Sequence, residues 1–296
     1  MLDLYQALKS FPPFSRQLMC KGMLFTNYDC PQVERKMTVY IEQPFIVHVI
    51  KGRRIYHQNG HCWEFKEGTC AYVRPGGYIT ERRDDEEWCV MVFFIPDAYL
   101  FQLYKDNRQF LPALGNERLA HPEPVTLLKV NDLSASCFAS MLPYFSQQPS
   151  PPEPLVELKF NELLLSLMAD GGNSEFLHFV NGLSRRTVLT VRQVMLGNYS
   201  TNLTIDEYAS LCCMSVSSFK REFRKEFNDA PARWLMKKRV EKAKVLLNKT
   251  LLPVSEVALE CGFENPTHFS RVFREKTGSA PVQFRNAKRR EVTAPI

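Results

Sequence analysis

At 296 residues, with 38 Lys/Arg against 32 Asp/Glu and a formal charge of +6, the chain is longer than one ordinary domain, so two of ~100–200 residues are expected. Its 45% hydrophobic and 24% charged content lies near globular averages and excludes wholesale disorder and fibrous repeats. The sequence has no apolar run of roughly 18 residues, so nothing is expected to span or enter a membrane.

The first ten residues lack a basic start followed by an apolar stretch, so secretion is not expected. Nine cysteines are odd in number and scattered, Cys212 and Cys213 are adjacent, and none forms a CxxC pair. They read as reduced thiols of a cytoplasmic chain and exclude a zinc ribbon. Charge divides the chain. Residues 1–184 hold 17 Lys/Arg against 21 Asp/Glu, a balance of −4, and residues 185–296 hold 21 against 11, a balance of +10. Basic excess confined to one module is the electrostatic footprint of nucleic-acid binding, or else a solvated face.

From Phe45 to Phe94 the pattern is strand-like. Phe45–Ile50 and Cys89–Phe94 are short, apolar and rich in β-branched and aromatic residues. Asn59-Gly60, between Arg54–His57 and His61–Phe65, predicts a tight hairpin, because both turn positions need positive φ. Gly52, Gly68 and Pro75-Gly76-Gly77 punctuate the run. Regular turns between short strands argue for a small antiparallel barrel or sandwich, at about 15–125. His57 and His61 could suggest metal ligands in a cupin-type barrel. They fall on opposite arms of a turn in HxxxH spacing, however, so exposed hairpin residues are expected, with no metal and no cofactor. Glu81–Glu87 is a mixed charge run, expected as a solvated loop.

Helical periodicity follows. Leu133–Phe145 and Leu155–Met168, joined across Pro149, Pro151 and Pro152, predict a helical hairpin at about 131–170. Its second helix is more apolar than one contact requires. Either it packs on its own barrel, or Leu164 and Leu167 form the interface of a homodimer. Residues 171–186 are expected to be a short helix-and-loop linker leading to Arg185-Arg186, closing a regulatory half at 1–184.

The last third nearly repeats itself fifty residues apart. SVSSFKREFRKEFNDAP at 215–231 aligns with NPTHFSRVFREKTGSAP at 265–281, so that Phe219, Arg221, Phe223, Arg224, Ala230 and Pro231 recur as Phe269, Arg271, Phe273, Arg274, Ala280 and Pro281. Each copy predicts helix, turn, helix, at 204–227 and 254–277. Thr204 and Ser215 cap the first pair, while Gly262 supplies the turn and Asn265-Pro266 the start of the last helix. The Phe pairs at i, i+4 face a core. Arg221 and Arg271 lie where a helix entering a major groove can fork onto guanine. Arg224 and Arg274 lie farther along, where phosphates are the natural partners. A helix from Pro231 through Leu247, ~17 residues and ~25 Å long, connects the copies, and Lys237, Lys238, Arg239, Lys242 and Lys244 make it basic. Such a rod could hold two reading helices about one duplex turn (~34 Å) apart.

Ala258, Cys261-Gly262-Phe263, His268-Phe269, Arg271-Val272-Phe273 and Gly278-Ser279-Ala280-Pro281, with Arg239, Ala243 and Leu246-Leu247 in the connecting helix, resemble the signature of AraC-family transcription regulators across about 187–290. The resemblance implies seven helices in two helix-turn-helix subdomains, usually activating promoters from sites near RNA polymerase. By motif position it implies base contacts at Ser217, Lys220, Arg221, Thr267, Ser270 and Arg271, with Asn265 and His268 joining Arg224 and Arg274 at phosphates. Phe227-Asn228 departs from the family's Thr-Gly-like stop and puts the C-cap of that helix in doubt. The N-terminal half is more weakly similar to the barrel-plus-hairpin domain of ExsA-type members. In those members the barrel senses a small molecule or binds a protein partner, and the hairpin helices often dimerise. Neither kind of effector is selected here. Arg54, Tyr56 and Trp63 are the candidate pocket lining, with barrel surface as the alternative.

The expectation is thus an α+β chain: a cupin-like barrel with a helical hairpin, then an all-α double helix-turn-helix domain. It would act as a sequence-specific activator on double-stranded operator DNA, and not as an enzyme. The alternatives are a metal-dependent cupin enzyme with a DNA-binding tail and a non-specific architectural protein.

Overall fold

The computed structural model describes residues 2–10, 15–29, 34–82, 87–114, 123–183 and 190–286. It is an α+β structure in two units, one built from Leu2–His57 with His61–Thr187, the other mainly from Val188–Ile296.

The first unit begins with β1 (Leu2–Asp3), α1 (Leu4–Ser10), β2 (Ser15–Cys20), β3 (Met23–Asp29), β4 (Lys36–Ile41) and β5 (Phe45–Lys51). It continues with β6 (Arg53–Gln58), β7 (His61–Lys66), β8 (Cys70–Val73), β9 (Gly76–Arg82) and β10 (Cys89–Phe94). The strands form two sheets, in the orders β1-β4-β9-β6-β7 and β11-β8-β5-β10-β3-β2, where β11 is Val125–Leu128. The Asn59-Gly60 turn forms as its dipeptide requires, with φ of 52° and 86°. Two features differ from a small closed antiparallel barrel. Among the described residues the sheets are separate ladders, and β1 joins β4 in parallel.

The β5 and β10 runs are continuously apolar because both faces of their sheet are covered. Phe45, Val47, Val49, Val90, Val92 and Phe94 face the interior between the sheets, together with Val39, Tyr56, Phe65 and Tyr78. Ile46, Met91, Phe93 and Ile95 face the other way, into a second core shared with the helices. That core takes Leu100 and Tyr104 from α2 (Asp97–Asn107), Phe138 from α3 (Asp132–Met141) and Phe160 from α4 (Glu153–Ala169). Strand alternation thus builds two cores from one sheet.

The helical hairpin is present as α3 and α4, but two expectations attached to it need correction. Leu164 and Leu167 are both 0% exposed within their own chain, packed with Phe138 and Phe160. They have no surface to offer a second subunit. The open leucines of α4 are Leu155 and Leu158, 43% and 66% exposed. Residues 171–183 are also no simple linker. They contain α5 (Ser174–Gly182), whose Phe176, Leu177, Phe179 and Val180 are buried in the same core. Arg185-Arg186 lie outside the described residues.

The second unit is helical: α6 (Val191–Asn198), α7 (Ile205–Leu211), α8 (Val216–Phe227), α9 (Pro231–Lys249), α10 (Val254–Glu260) and α11 (Pro266–Thr277), with residues 281–286 opening another helix. Thr204 caps α7 in a reciprocal box with Glu207, and Ser215 caps α8. The tight turns before α8 and α11 place Cys213 and Gly262 in the left-handed region, φ 52° and 81°. The C-cap of α8, which the sequence left in doubt, is closed by Asn228 at φ 50°, where α11 uses Gly278 at φ 81°. Asparagine tolerates this conformation better than most residues. Among the described residues no helix is long and apolar enough to cross a membrane.

Candidate nucleic-acid interface

The orientation of α8 and α11 follows from four phenylalanines. Phe219 and Phe223 are fully buried in the first copy, with Phe219 against Tyr208 and Phe223 against Trp234. Phe269 and Phe273 are fully buried in the second, in a core with Val240, Ala243, Val257 and Phe263. An i, i+4 pair fixes the rotation of a helix about its axis, so the residues between are turned to solvent.

On α8 this exposes Ser217, Lys220, Arg221 and Arg224; on α11 it exposes Thr267, His268, Arg271 and Arg274, with Asn265 before it and Ser270 half-exposed. The two copies therefore present corresponding cationic faces, Arg221/Arg224 and Arg271/Arg274. Their local partners differ. Arg221 Nε lies 3.4 Å from Glu222 Oε1, a carboxylate that also meets Lys225 Nζ at 2.9 Å. In α11 the corresponding position is Val272, so no acid sits there. Asn265 Oδ1 accepts from the Thr267 and His268 amides at 2.8 and 3.2 Å, which engages this side chain as an N-cap. Ser270 Oγ donates to the Pro266 carbonyl at 2.9 Å. The helix face also borders a shallow hollow lined by Ser270, Arg271, Arg274 and Glu275.

The connecting helix α9 is less uniformly basic at its surface than its composition suggests. Arg239 is only 4% exposed. Its guanidinium donates to the carbonyls of Tyr199 (2.9 Å) and Thr201 (2.7 Å) and lies over the Phe263 ring. Burial pulls its pKa below the usual arginine value. Lys242 is half-buried, with Nζ donating to the Glu260 carbonyl at 2.6 Å. Burial lowers its pKa too. Both cations hold the unit together, a role that spacing on α9 did not reveal. Arg239 lies one position before the buried Val240, and that adjacency to the core face was the available signal.

In the first unit the three candidate pocket residues separate. Arg54 and Tyr56 are buried and line an interior cavity, so barrel surface is not their place. Trp63 is outside that lining and stacks near His61, with ring centroids 6.1 Å apart. His57 Nε2 pairs with Glu81 Oε2 at 3.0 Å, and His61 is exposed. Glu81 is no loop residue. It belongs to β9, is nearly buried, and also faces Lys36 and Arg35 at 3.6 and 3.7 Å. Of the charge run it begins, residues 83–86 lie outside the described residues. Among the described residues no three His, Cys, Asp or Glu side chains converge as metal ligands would.

Comparison with known proteins places two family matches side by side. The ExsA N-terminal regulatory domain matches residues 44–179, and a helix-turn-helix domain family matches residues 208–287. The thermoregulatory protein LcrF of Yersinia pestis is 22% identical over 241 residues, 81% of this chain and 88% of its own length. The transcriptional regulator ExsA of Pseudomonas aeruginosa is 23% identical over 223 residues, 75% of this chain and 78% of its own. The chain belongs to the AraC family of transcriptional regulators. This regulator has an ExsA-type N-terminal domain and a helix-turn-helix domain that binds DNA. Among solved structures, that of ToxT from Vibrio cholerae aligns with 89% of this chain and 97% of its own, at 14% identity and a TM-score of 0.42.

Proposed function

We propose that this regulator is a cytoplasmic activator that uses α8 and α11 to read two successive major-groove segments of a promoter operator. Base edges would be met by Ser217, Lys220 and Arg221 and by Thr267, Ser270 and Arg271. Phosphates would be met by Arg224, Arg274 and His268, and at Asn265 by the helix start that it caps. The observation that carries this is the shared rotation of the two helices: each buries its Phe pair completely and leaves the intervening cations in solvent. Activation is supported by the relative VirF of Yersinia enterocolitica, named as a virulence regulon transcriptional activator. RNA polymerase is then the expected partner on the promoter. The division is placed near 184–187, with a cupin-like N-terminal module that receives a regulatory small molecule or protein.

Footprinting on a cognate promoter tests this. Lys220→Ala with Arg221→Ala should open one segment of the protected region, and Ser270→Ala with Arg271→Ala the next. Loss of the same bases in both variants would refute the two-segment arrangement. Affinity for random duplex within tenfold of the operator would indicate an architectural protein, because specific complexes exceed non-specific ones by ~10³–10⁷. Stoichiometric metal in the purified protein would favour the cupin-enzyme alternative.

A further inference from the structure

We propose that Glu222 is a positioning residue for base reading: its carboxylate holds Arg221 so that α8 favours guanine at one base pair and disfavours non-cognate duplex. This rests on the proposed role of Arg221 as a base contact. A helix turns ~100° per residue, so Arg221 lies opposite the midpoint of Phe219 and Phe223, which are both 0% exposed. It therefore projects from the centre of the open face of α8. Glu222 stands on one flank of that face, with Lys225 between it and Arg221 around the cylinder, and Lys220 and Arg224 stand on the other flank. Arg221 Nε donates to Glu222 Oε1 at 3.4 Å, and Lys225 Nζ donates to the same oxygen at 2.9 Å.

Packing does not require an acid here. At the matching position α11 carries Val272, which packs against the core of the second copy, so this place on the helix accepts an apolar side chain. An exposed i, i+3 pair with Lys225 stabilises a helix only slightly. Lys225, and after it Arg221, hold the Glu222 carboxyl below the ordinary carboxylate value, so it is ionised at neutral pH. A guanidinium carries five N–H donors in a fixed plane. With Nε engaged by Glu222, the two terminal nitrogens remain for an end-on fork. Guanine alone offers that fork two acceptors in the major groove, O6 and N7. The same restraint keeps Arg221 from swinging to a phosphate, where an arginine carries no sequence information. On other sequences the carboxylate still approaches the polyanion and is repelled by it, with no fork to offset the cost. Arg271 is followed by Val272 and lacks that restraint.

The full chain selects duplexes from a randomised pool, and each base pair of the recovered site is then varied singly. Affinities are measured for the wild type, Arg221→Ala, Glu222→Val, Glu222→Gln and the double variant Arg221→Ala with Glu222→Val, and thermal unfolding midpoints are recorded alongside. Glu222→Val should lower the guanine preference by about two- to fivefold, the range of an exposed ion pair, at the base pair that Arg221→Ala relaxes and at no other. It should also tighten binding to random duplex at low salt, by a factor that shrinks as salt is raised. Glu222→Gln keeps an acceptor for Nε, so it should retain more of the base preference than Glu222→Val while gaining affinity for random duplex. In the double variant the loss of preference should equal that of Arg221→Ala alone. Unchanged preference in Glu222→Val, with Arg221→Ala relaxing its base pair, would overturn the positioning role. Relaxation at a different base pair would make Glu222 a direct reader and overturn it too. An equal loss on every duplex, with a lowered midpoint, would leave Glu222 a structural residue and reject the proposal. If Arg221→Ala relaxes no base pair, the base-contact reading itself has failed and the positioning role falls with it.

Discussion

Arg239 Nη2 donates a 2.7 Å hydrogen bond to the carbonyl of Thr201, so the connecting helix is tied to the loop before the first helix-turn-helix. The same side chain meets the Tyr199 carbonyl and lies over Phe263 in the turn before α11. One guanidinium therefore joins the loop that leads into the first copy of the motif to the turn inside the second. Their association is built into the core of the unit as well as into the length of α9.

Replacing Arg239 by Met should cost ~2–4 kcal/mol of stability, because it leaves buried carbonyl groups unpaired. Arg239→Lys should recover only part of this, since an ammonium cannot span both acceptors. Gly262→Ala should act at the same place. A Cβ there would come within 2.9 Å of the Ser200 carbonyl oxygen, at a φ of +81°. Gly278 has the same φ with open space around it, so Gly278→Ala should cost only ~1–2 kcal/mol, the backbone contribution alone. Urea unfolding of the four variants checks the order. Equal losses at the two glycines would show that the Ser200 contact does not matter.

Arg271→Ala and Arg274→Ala should weaken DNA binding in different ways. Loss of Arg271 should cost ~1–3 kcal/mol on the operator and relax preference at one base pair. Loss of Arg274 should weaken all duplexes alike and reduce the salt slope by about 1. Binding isotherms on cognate, single-mismatch and random duplexes at several salt concentrations separate the two. A uniform loss for Arg271 would make it a phosphate contact.

His48 should make the N-terminal unit sensitive to mild acid. Its ring stacks on Phe138 at 4.1 Å, its Nδ1 is buried without a hydrogen-bond partner, and burial lowers its pKa from 6.5 to about 4. The folded state thus keeps it neutral while the unfolded chain takes up a proton across that window. Its contribution is complete above the unfolded value near 6.5 and is lost as pH falls towards 4. Between pH 7 and 5 it amounts to about 2 kcal/mol. In His48→Phe, denaturant titrations at the two pH values should differ by correspondingly less. An unchanged difference would assign the acid sensitivity to other groups.

Leu164→Asp and Leu167→Asp should unfold the N-terminal unit rather than split a folded dimer into folded monomers. Each would place a carboxylate in a core where the native side chain is 0% exposed, a change costing several kcal/mol. Leu158→Asp, at an open position of the same helix, should leave the fold intact. Circular dichroism with light scattering distinguishes the cases: a folded monomer from Leu164→Asp, with a dimeric wild type, would restore the interface.

The helix-turn-helix pair was legible in the amino acids because its determinants are local. Thr204, Ser215, Asn265, Gly262 and the Phe pairs act within a turn or two of their own backbone, and the repeat states the Phe pairs and the caps Ser215 and Asn265 twice. The Asn59-Gly60 hairpin was legible for the same reason. What depends on residues far apart in the chain was decided by tertiary structure alone. Leucines on α4 look alike in sequence, yet Leu164 lies in a core and Leu158 in solvent, because the sheet covers one side of that helix. Arginines look alike too. Arg271 stays in water, Arg239 is buried among carbonyl acceptors, and Arg54 is buried beside an apolar cavity. The cost of burying a charge depends on what surrounds it in space, and for Arg239 and Arg54 those surroundings come largely from distant parts of the chain.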